Sequence, residues 1–213
     1  MSPPRAVLTA TNLSKRYRRR RLFEGLSFSV SDGERVAVVG PNGSGKSTLV
    51  QILAGVVAQT KGTVGLTIGE TSVPAADRTF HVGLVGPYLN VYEGLSAREN
   101  LAFVARLRGI PTDPAHLDAY IDRVGLAGRE DDLVKTFSSG MKQRIKLATA
   151  LLVEPAILLL DEPGATLDET GRTLVRDLLN THAGPLILAT NDPAEAALCP
   201  RTIDLGAPRG REL

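Results

Sequence analysis

Gly40-Pro41-Asn42-Gly43-Ser44-Gly45-Lys46-Ser47-Thr48, residues 40–48, is the stretch on which the fold reading turns. It fits the spacing G-x-x-x-x-G-K-[ST]. The residues before it, Arg35-Val36-Ala37-Val38-Val39, read as a buried strand after the turn signal Ser31-Asp32-Gly33-Glu34. A helix is expected from Lys46 to Gly55, where glycine suits a helix C-terminus. Strand, glycine loop and helix together make an anion cradle. The glycines let successive N–H groups point inward, and the helix start adds partial positive charge.

Working outward, Ala156-Ile157-Leu158-Leu159-Leu160 reads as a second buried strand, ended by Asp161 and Glu162. Two carboxylates at the C-terminal edge of a strand stand where α/β proteins bind ligands. In combination with the glycine loop they point to a nucleoside triphosphate that is bound and hydrolysed. Lys46 is placed to reach the β- and γ-phosphates, Ser47 to ligate Mg²⁺, and Asp161 to hold the ion through a water. Glu162 is placed to polarise the attacking water.

The remaining pattern alternates strand and helix. Val7–Ala10, Leu26–Val30, Thr63–Ile68, His81–Val85 and Leu186–Ala189 read as strands, and Glu169 to Asn180 as a helix. Residues 95–153 differ. Leu101, Val104, Ala105 and Arg108 fit helical spacing, then Leu117, Tyr120, Ile121 and Val124, then Ile145, Leu147, Ala148 and Leu151. An α/β core with a helical insert is expected.

Phe137-Ser138-Ser139-Gly140-Met141-Lys142-Gln143-Arg144 opens the last of these helices with small residues. A second helix start able to take an anion suggests two copies, each closing over the other's nucleotide. An ordinary serine cap is the alternative. At this point the chain, from about Leu8 to Asp204, resembles the ATP-binding subunits of ABC transporters. Phe137 to Met141 resembles the family's Leu-Ser-Gly-Gly-Gln signature. Ser138 and Gly140 match it; Phe137, Ser139 and Met141 depart.

The resemblance implies a P-loop NTPase core of the ABC ATPase type, with an N-terminal antiparallel β-subdomain and an inserted α-helical subdomain. One domain over 1–213 is expected, the core and β-subdomain in 1–86 and 155–213, the helical part at about 87–154. It implies ATP and Mg²⁺ as ligands. ATP is held by Gly40, Pro41, Asn42, Gly43, Ser44, Gly45, Lys46, Ser47 and Thr48, and in the dimer by Ser138, Ser139 and Gly140. Tyr17 matches an adenine-stacking aromatic, and Gly164 to Asp168 a loop that communicates across the dimer. In length and in Leu95 to Gly109 the chain looks most like the haem-exporter ATP-binding subunits of cytochrome c maturation.

Two positions depart from the family in ways that bear on catalysis. Pro87 stands where glutamine is usual, and it has no polar side chain; Asn90 is a candidate replacement. Asn191 stands where histidine is usual. It can hydrogen-bond a γ-phosphate but cannot carry positive charge. Such a change costs about 1–3 kcal/mol of transition-state stabilisation, or roughly 10- to 100-fold in rate. A slow ATPase is expected, with Lys46, Glu162 and Asn191 as its catalytic residues.

Composition narrows the partners. Among 213 residues the formal charge is +2, aromatics are 4%, and there is one cysteine, Cys199. An internal disulfide and a Cys/His zinc cluster are thereby excluded, and nucleic acid is not an expected partner. No segment is apolar enough to span a bilayer, and Met1 to Arg5 lack a signal-peptide apolar run. The resemblance therefore implies a cytoplasmic chain, peripheral on the inner face of the cell membrane. It would power export through separate permease subunits docked near Pro87 to Arg108, with Tyr88, Tyr92 and Phe103 as anchors. It would pair with itself or with a homologue. Two alternatives stay open: a weakly active regulatory subunit, and an ABC-type ATPase not tied to transport. The basic run Lys15 to Arg21 reads as a solvated turn that favours an anion. Cys199, His81, His116 and His182 read as packing or surface residues.

Overall fold

The computed structural model describes residues 5–18 and 20–206. Arg19 of the basic run, and the ends of the expected 1–213 domain, lie outside the described residues. Two long strands open the fold, β1 (Ala6–Tyr17) and β2 (Arg20–Ser31). They pair antiparallel, Tyr17 opposite Arg20. Then come β3 (Arg35–Val39), α1 (Lys46–Ala54), β4 (Lys61–Ile68), β5 (Thr71–Val73) and β6 (Val82–Val85). A helical block follows: α2 (Ala97–Arg108), α3 (Pro114–Arg123) and α4 (Ser139–Leu152). The chain closes with β7 (Ile157–Asp161), α5 (Glu169–Thr181), β8 (Leu186–Ala189), α6 (Pro193–Ala196) and β9 (Arg201–Asp204).

Two sheets result. One is antiparallel, β2-β1-β4-β5; the other has order β6-β7-β8-β3-β9 and parallel neighbours throughout. The parallel sheet divides the interior. Leu158 and Leu160 of β7 face a cluster that takes in Leu101, Ile121 and Ile145 of the helical block. Ile157 and Leu159 face the other cluster, which holds α1 and the antiparallel sheet. A strand buried on both faces reads as a continuous apolar run, which is why β3 and β7 were legible without alternation.

The helices begin where short polar side chains can cap them. Ser96 caps α2, accepting from Glu99 N–H at 3.2 Å while Glu99 returns to Ser96 N–H at 2.8 Å. Asp113 caps α3 and Ser138 caps α4. Gly55, at φ 84°, ends α1.

Some boundaries differ from the sequence reading. β1 runs past Ala10 to Tyr17, and its pairing with β2 slips at Ala10/Leu13, Leu13/Lys15 and Lys15/Arg16. Each bulge breaks the two-residue alternation that marks a strand. β9 was missed because Ile203 is its one buried side chain. His81 ends a short 3₁₀ turn rather than opening β6. Cys199 is buried, and that burial pushes its thiol up to about 11.

Candidate nucleotide site

The glycine loop joins the end of β3 to α1 beside the ends of β7 and β8. Gly40, Gly43 and Gly45 take φ of 141°, 78° and 109°. At Gly40 a Cβ would come within 2.9 Å of Ser44 Oγ, so the loop closes here only on glycine. Arg20 of β2 donates to Gly43 O at 2.8 Å and braces the loop from outside. Lys46 is nearly buried. Its Nζ donates to Gly40 O at 2.8 Å and to Asn191 Oδ1 at 2.7 Å.

Asn191 links the loop to the carboxylates. Its Nδ2 donates to Asn42 Oδ1 at 2.7 Å and to Glu162 Oε1 at 2.8 Å. Lys46 can only donate and Glu162, when ionised, can only accept, so one amide orientation satisfies both. Glu162 has φ 49°, a strained value for a side-chain-bearing residue, and its N–H donates to Ala189 O at 2.8 Å. The backbone is thereby turned at the end of β7 so that the carboxylate enters the cleft. Lys46, Ser47, Glu162, Asn191 and Pro87 line one cleft of about 540 Å³.

Asp161 is fully buried, and neither carboxylate oxygen has a hydrogen-bond partner among the described residues. Burial raises its pKa, opposed by Ser47 and Lys46 and reinforced by Glu162. Ser44 Oγ is likewise buried without a partner. Orphaned buried oxygens beside a basic loop fit a hydrated cation and phosphate. Among the described residues no group of three or more His, Cys, Asp or Glu could hold a metal by itself. Ser47 of this cleft and the neighbouring Asp161 are the side chains that would hold such a cation.

Ser138, Ser139 and Gly140 line a different cleft of about 420 Å³, which shares no lining residue with the first. Its wall includes Arg144, which donates to Asp168 Oδ1 at 2.6 Å. Asp168 also caps α5 through Gly171 N–H, and that hydrogen bond with the Arg144 contact holds its carboxyl below the usual range. Gln143 donates to Pro163 O at 3.1 Å, tying α4 to the loop after Glu162. Thus one chain brings together residues 40–48, Asp161, Glu162 and Asn191, and leaves Ser138 and Gly140 outside that cleft, while Ser139 shares the groove between the clefts with Glu162.

A profile of the ABC transporter family matches residues 23–165. The chain belongs to this family. Among ABC relatives, the linearmycin resistance ATP-binding protein LnrL of Bacillus subtilis (strain 168) is 32% identical over 204 residues, 92% of this chain and 65% of that protein. The cytochrome c biogenesis ATP-binding export protein CcmA of Rhodopseudomonas palustris (strain BisB5) is 36% identical over 192 residues, 88% of this chain and 92% of that protein. A solved ATP binding subunit of an ABC transporter superposes with TM-score 0.82 at 26% identity, covering 97% of this chain and 89% of that one. The fold is that of the ABC ATPases. The chain spans 65%, 58% and 57% of the length of the first three curated relatives it matches. No helix among the described residues is long and apolar enough to cross a membrane.

Tyr88 of this ABC domain stands differently from the expectation, and Tyr17 and Asn90 lie outside the lining of the Lys46 cleft. Tyr88 is not a surface anchor: its hydroxyl is buried, and its ring lies against Gly86. Tyr92 and Phe103 do share the outer face, ring edge to ring face at 4.8 Å. Tyr17 is 48% exposed with Lys15 Nζ 4.5 Å above its ring, and it does not line the cleft. Asn90 lines the neighbouring groove between the two clefts rather than the phosphate cleft. Arg20 was missed as an individual residue; its signal was the basic run itself.

Proposed function

We propose that this chain binds Mg²⁺-ATP in the Lys46 cleft and hydrolyses it, as the ATP-binding component of an ABC exporter with separate membrane subunits. The observation that carries the reading is Asn191 joining Lys46 to Glu162 inside one cleft with the glycine loop. Loop N–H groups and Lys46 hold the β- and γ-phosphates. Ser47 and Asp161 hold the ion, which offsets the phosphate charge when bound. Glu162 orients water and takes its proton, and Asn191 positions Glu162 and can hydrogen-bond the terminal phosphate.

That none of Ser138, Ser139 and Gly140 lines the Lys46 cleft of their own chain supports a dimer in which these residues of one copy cover the nucleotide of the other. Tyr92 and Phe103, exposed on the 87–108 segment, suit a helical anchor of a membrane subunit, which would hold the chain on the inner membrane face. Tyr17, opposite Arg20 in the β1–β2 pair, can reach an adenine from outside the cleft. The name of CcmA, an export protein that this chain matches over 92% of that protein's length, supports export as the direction. A second reading, an ABC subunit with low turnover, is favoured by Asn191 and Pro87.

Steady-state ATP turnover of the assembled complex tests both. Glu162→Gln should lower kcat by about 100-fold or more and leave ATP binding intact. Turnover unchanged by that substitution would sink the hydrolytic reading.

A further inference from the structure

The segment leaving β6 holds a polar group that the nucleotide site leaves unused. Tyr88 turns its ring back over Gly86. A Cβ at Gly86 would lie 2.7 Å from the ring Cζ and 2.9 Å from Oη, so only glycine leaves room for this fold-back. Leu89 N–H closes the turn onto Gly86 O at 3.2 Å. Val85 pairs with Leu160 across the sheet, which brings Gly86 level with Asp161. The returning hydroxyl therefore arrives at the Asp161 end of the site.

That hydroxyl is buried and has no hydrogen-bond partner among the described residues; the same holds for both oxygens of Asp161. Burial and the negative charge of Asp161 push the Tyr88 phenol upward, opposed by the Gln51 side chain, which faces it from α1. The group remains a donor across the working pH range. The phenol and the carboxylate do not bond each other, and the side chains that face them, Gln51 and Ser47, make no well-formed hydrogen bond to them, so each has capacity left for a further group.

We infer that Tyr88 is a positioning residue of the nucleotide site. Its hydroxyl donates a hydrogen bond to an oxygen held beside Asp161 when nucleotide is bound, a water on the ion or an oxygen of the terminal phosphate. The inference rests on the proposed Mg²⁺-ATP site. It also gives that site a mechanical outlet. Tyr88 belongs to the same segment as Tyr92, so occupancy at Asp161 fixes the root of the outward-facing aromatic pair.

The test is equilibrium binding of ATP and of ADP to the wild type and to Tyr88→Phe, each with Mg²⁺ and with excess EDTA. Phenylalanine keeps the ring over Gly86, and matching melting temperatures without nucleotide verify the fold. Tyr88→Phe should weaken Mg²⁺-ATP binding by about 10-fold, the effect of one hydrogen bond to a charged group. A loss confined to the Mg²⁺ arms, for ATP and ADP alike, assigns the partner to water on the ion. A loss confined to ATP, with or without Mg²⁺, assigns it to the terminal phosphate. Equal affinities in all four arms, or one uniform loss across them, overturn the inference. A wild type that fails to bind Mg²⁺-ATP overturns the nucleotide reading beneath it.

Discussion

Asn191 Nδ2 stands 2.8 Å from Glu162 Oε1, and the same amide accepts from Lys46 Nζ through Oδ1 at 2.7 Å. A neutral side chain thus stands between a cation and an anion and hydrogen-bonds both. The arrangement keeps both charges in the cleft and neither committed to the other.

Asn191→His tests what the neutral bridge costs. An imidazole can carry charge toward a developing phosphate oxyanion, which asparagine cannot. The variant should raise kcat by about 10-fold, equivalent to about 1.4 kcal/mol of barrier, with KM changed less than about 3-fold. Asn191→Ala should lower kcat by about 10-fold or more, because Lys46 and Glu162 each lose the hydrogen bond that positions them. Steady-state ATPase assays on the assembled complex read both; a histidine variant slower than the alanine one would contradict the account.

Asp161 stores instability in the nucleotide-free chain. Burial raises its folded pKa. For a carboxyl raised in this way the folded state holds the proton more tightly. The penalty is absent below the unfolded pKa, grows as pH rises through the window up to the folded pKa, and is full above it. Asp161→Asn should therefore melt at a higher temperature than the wild type at neutral pH without nucleotide. It should also bind Mg²⁺-ATP about 10- to 100-fold more weakly. Thermal melts with and without Mg²⁺-ATP measure the two opposite shifts.

Ser96 and Glu99 form a reciprocal cap at the start of α2, directly after the aromatic segment. Ser96→Ala should destabilise the chain by about 1 kcal/mol and lower its melting temperature by roughly 2–4 °C. Calorimetry that finds no change would mean that α2 is held by its packing alone.

Tyr17→Ala should weaken ATP binding by about 1–3 kcal/mol if the ring stacks on adenine, the scale of base–aromatic stacking. Binding of inorganic triphosphate, which has no base, should not change. Equal losses for the two ligands would place Tyr17 in the fold of the β1–β2 pair instead.

The glycine loop, β3, β7 and the Gly55 end of α1 were legible because each is encoded within a few adjacent residues. The helical block was legible because Leu101, Leu117 and Ile145 belong to stripes with one period. What stayed hidden depended on residues distant in sequence. Asn191 was readable as a departure from a family pattern, but its three partners lie on other segments. Tyr88 looked like an outward anchor because it neighbours Tyr92; its inward turn follows from the space left by Gly86. The length of β1 was masked by bulges, and β9 by having a single buried side chain.

Cys199 has a use that its burial creates. The chain's only cysteine is enclosed, and its thiol is protonated at neutral pH. A thiol-reactive probe would find almost nothing to modify in the unaltered chain. A cysteine introduced at an exposed position such as Leu107 would then report alone, with no background to subtract. With no tryptophan in the sequence, a single added indole would be equally unambiguous. The molecule is already a blank slate for spectroscopy, and the movement of the aromatic segment could be followed without first removing native residues.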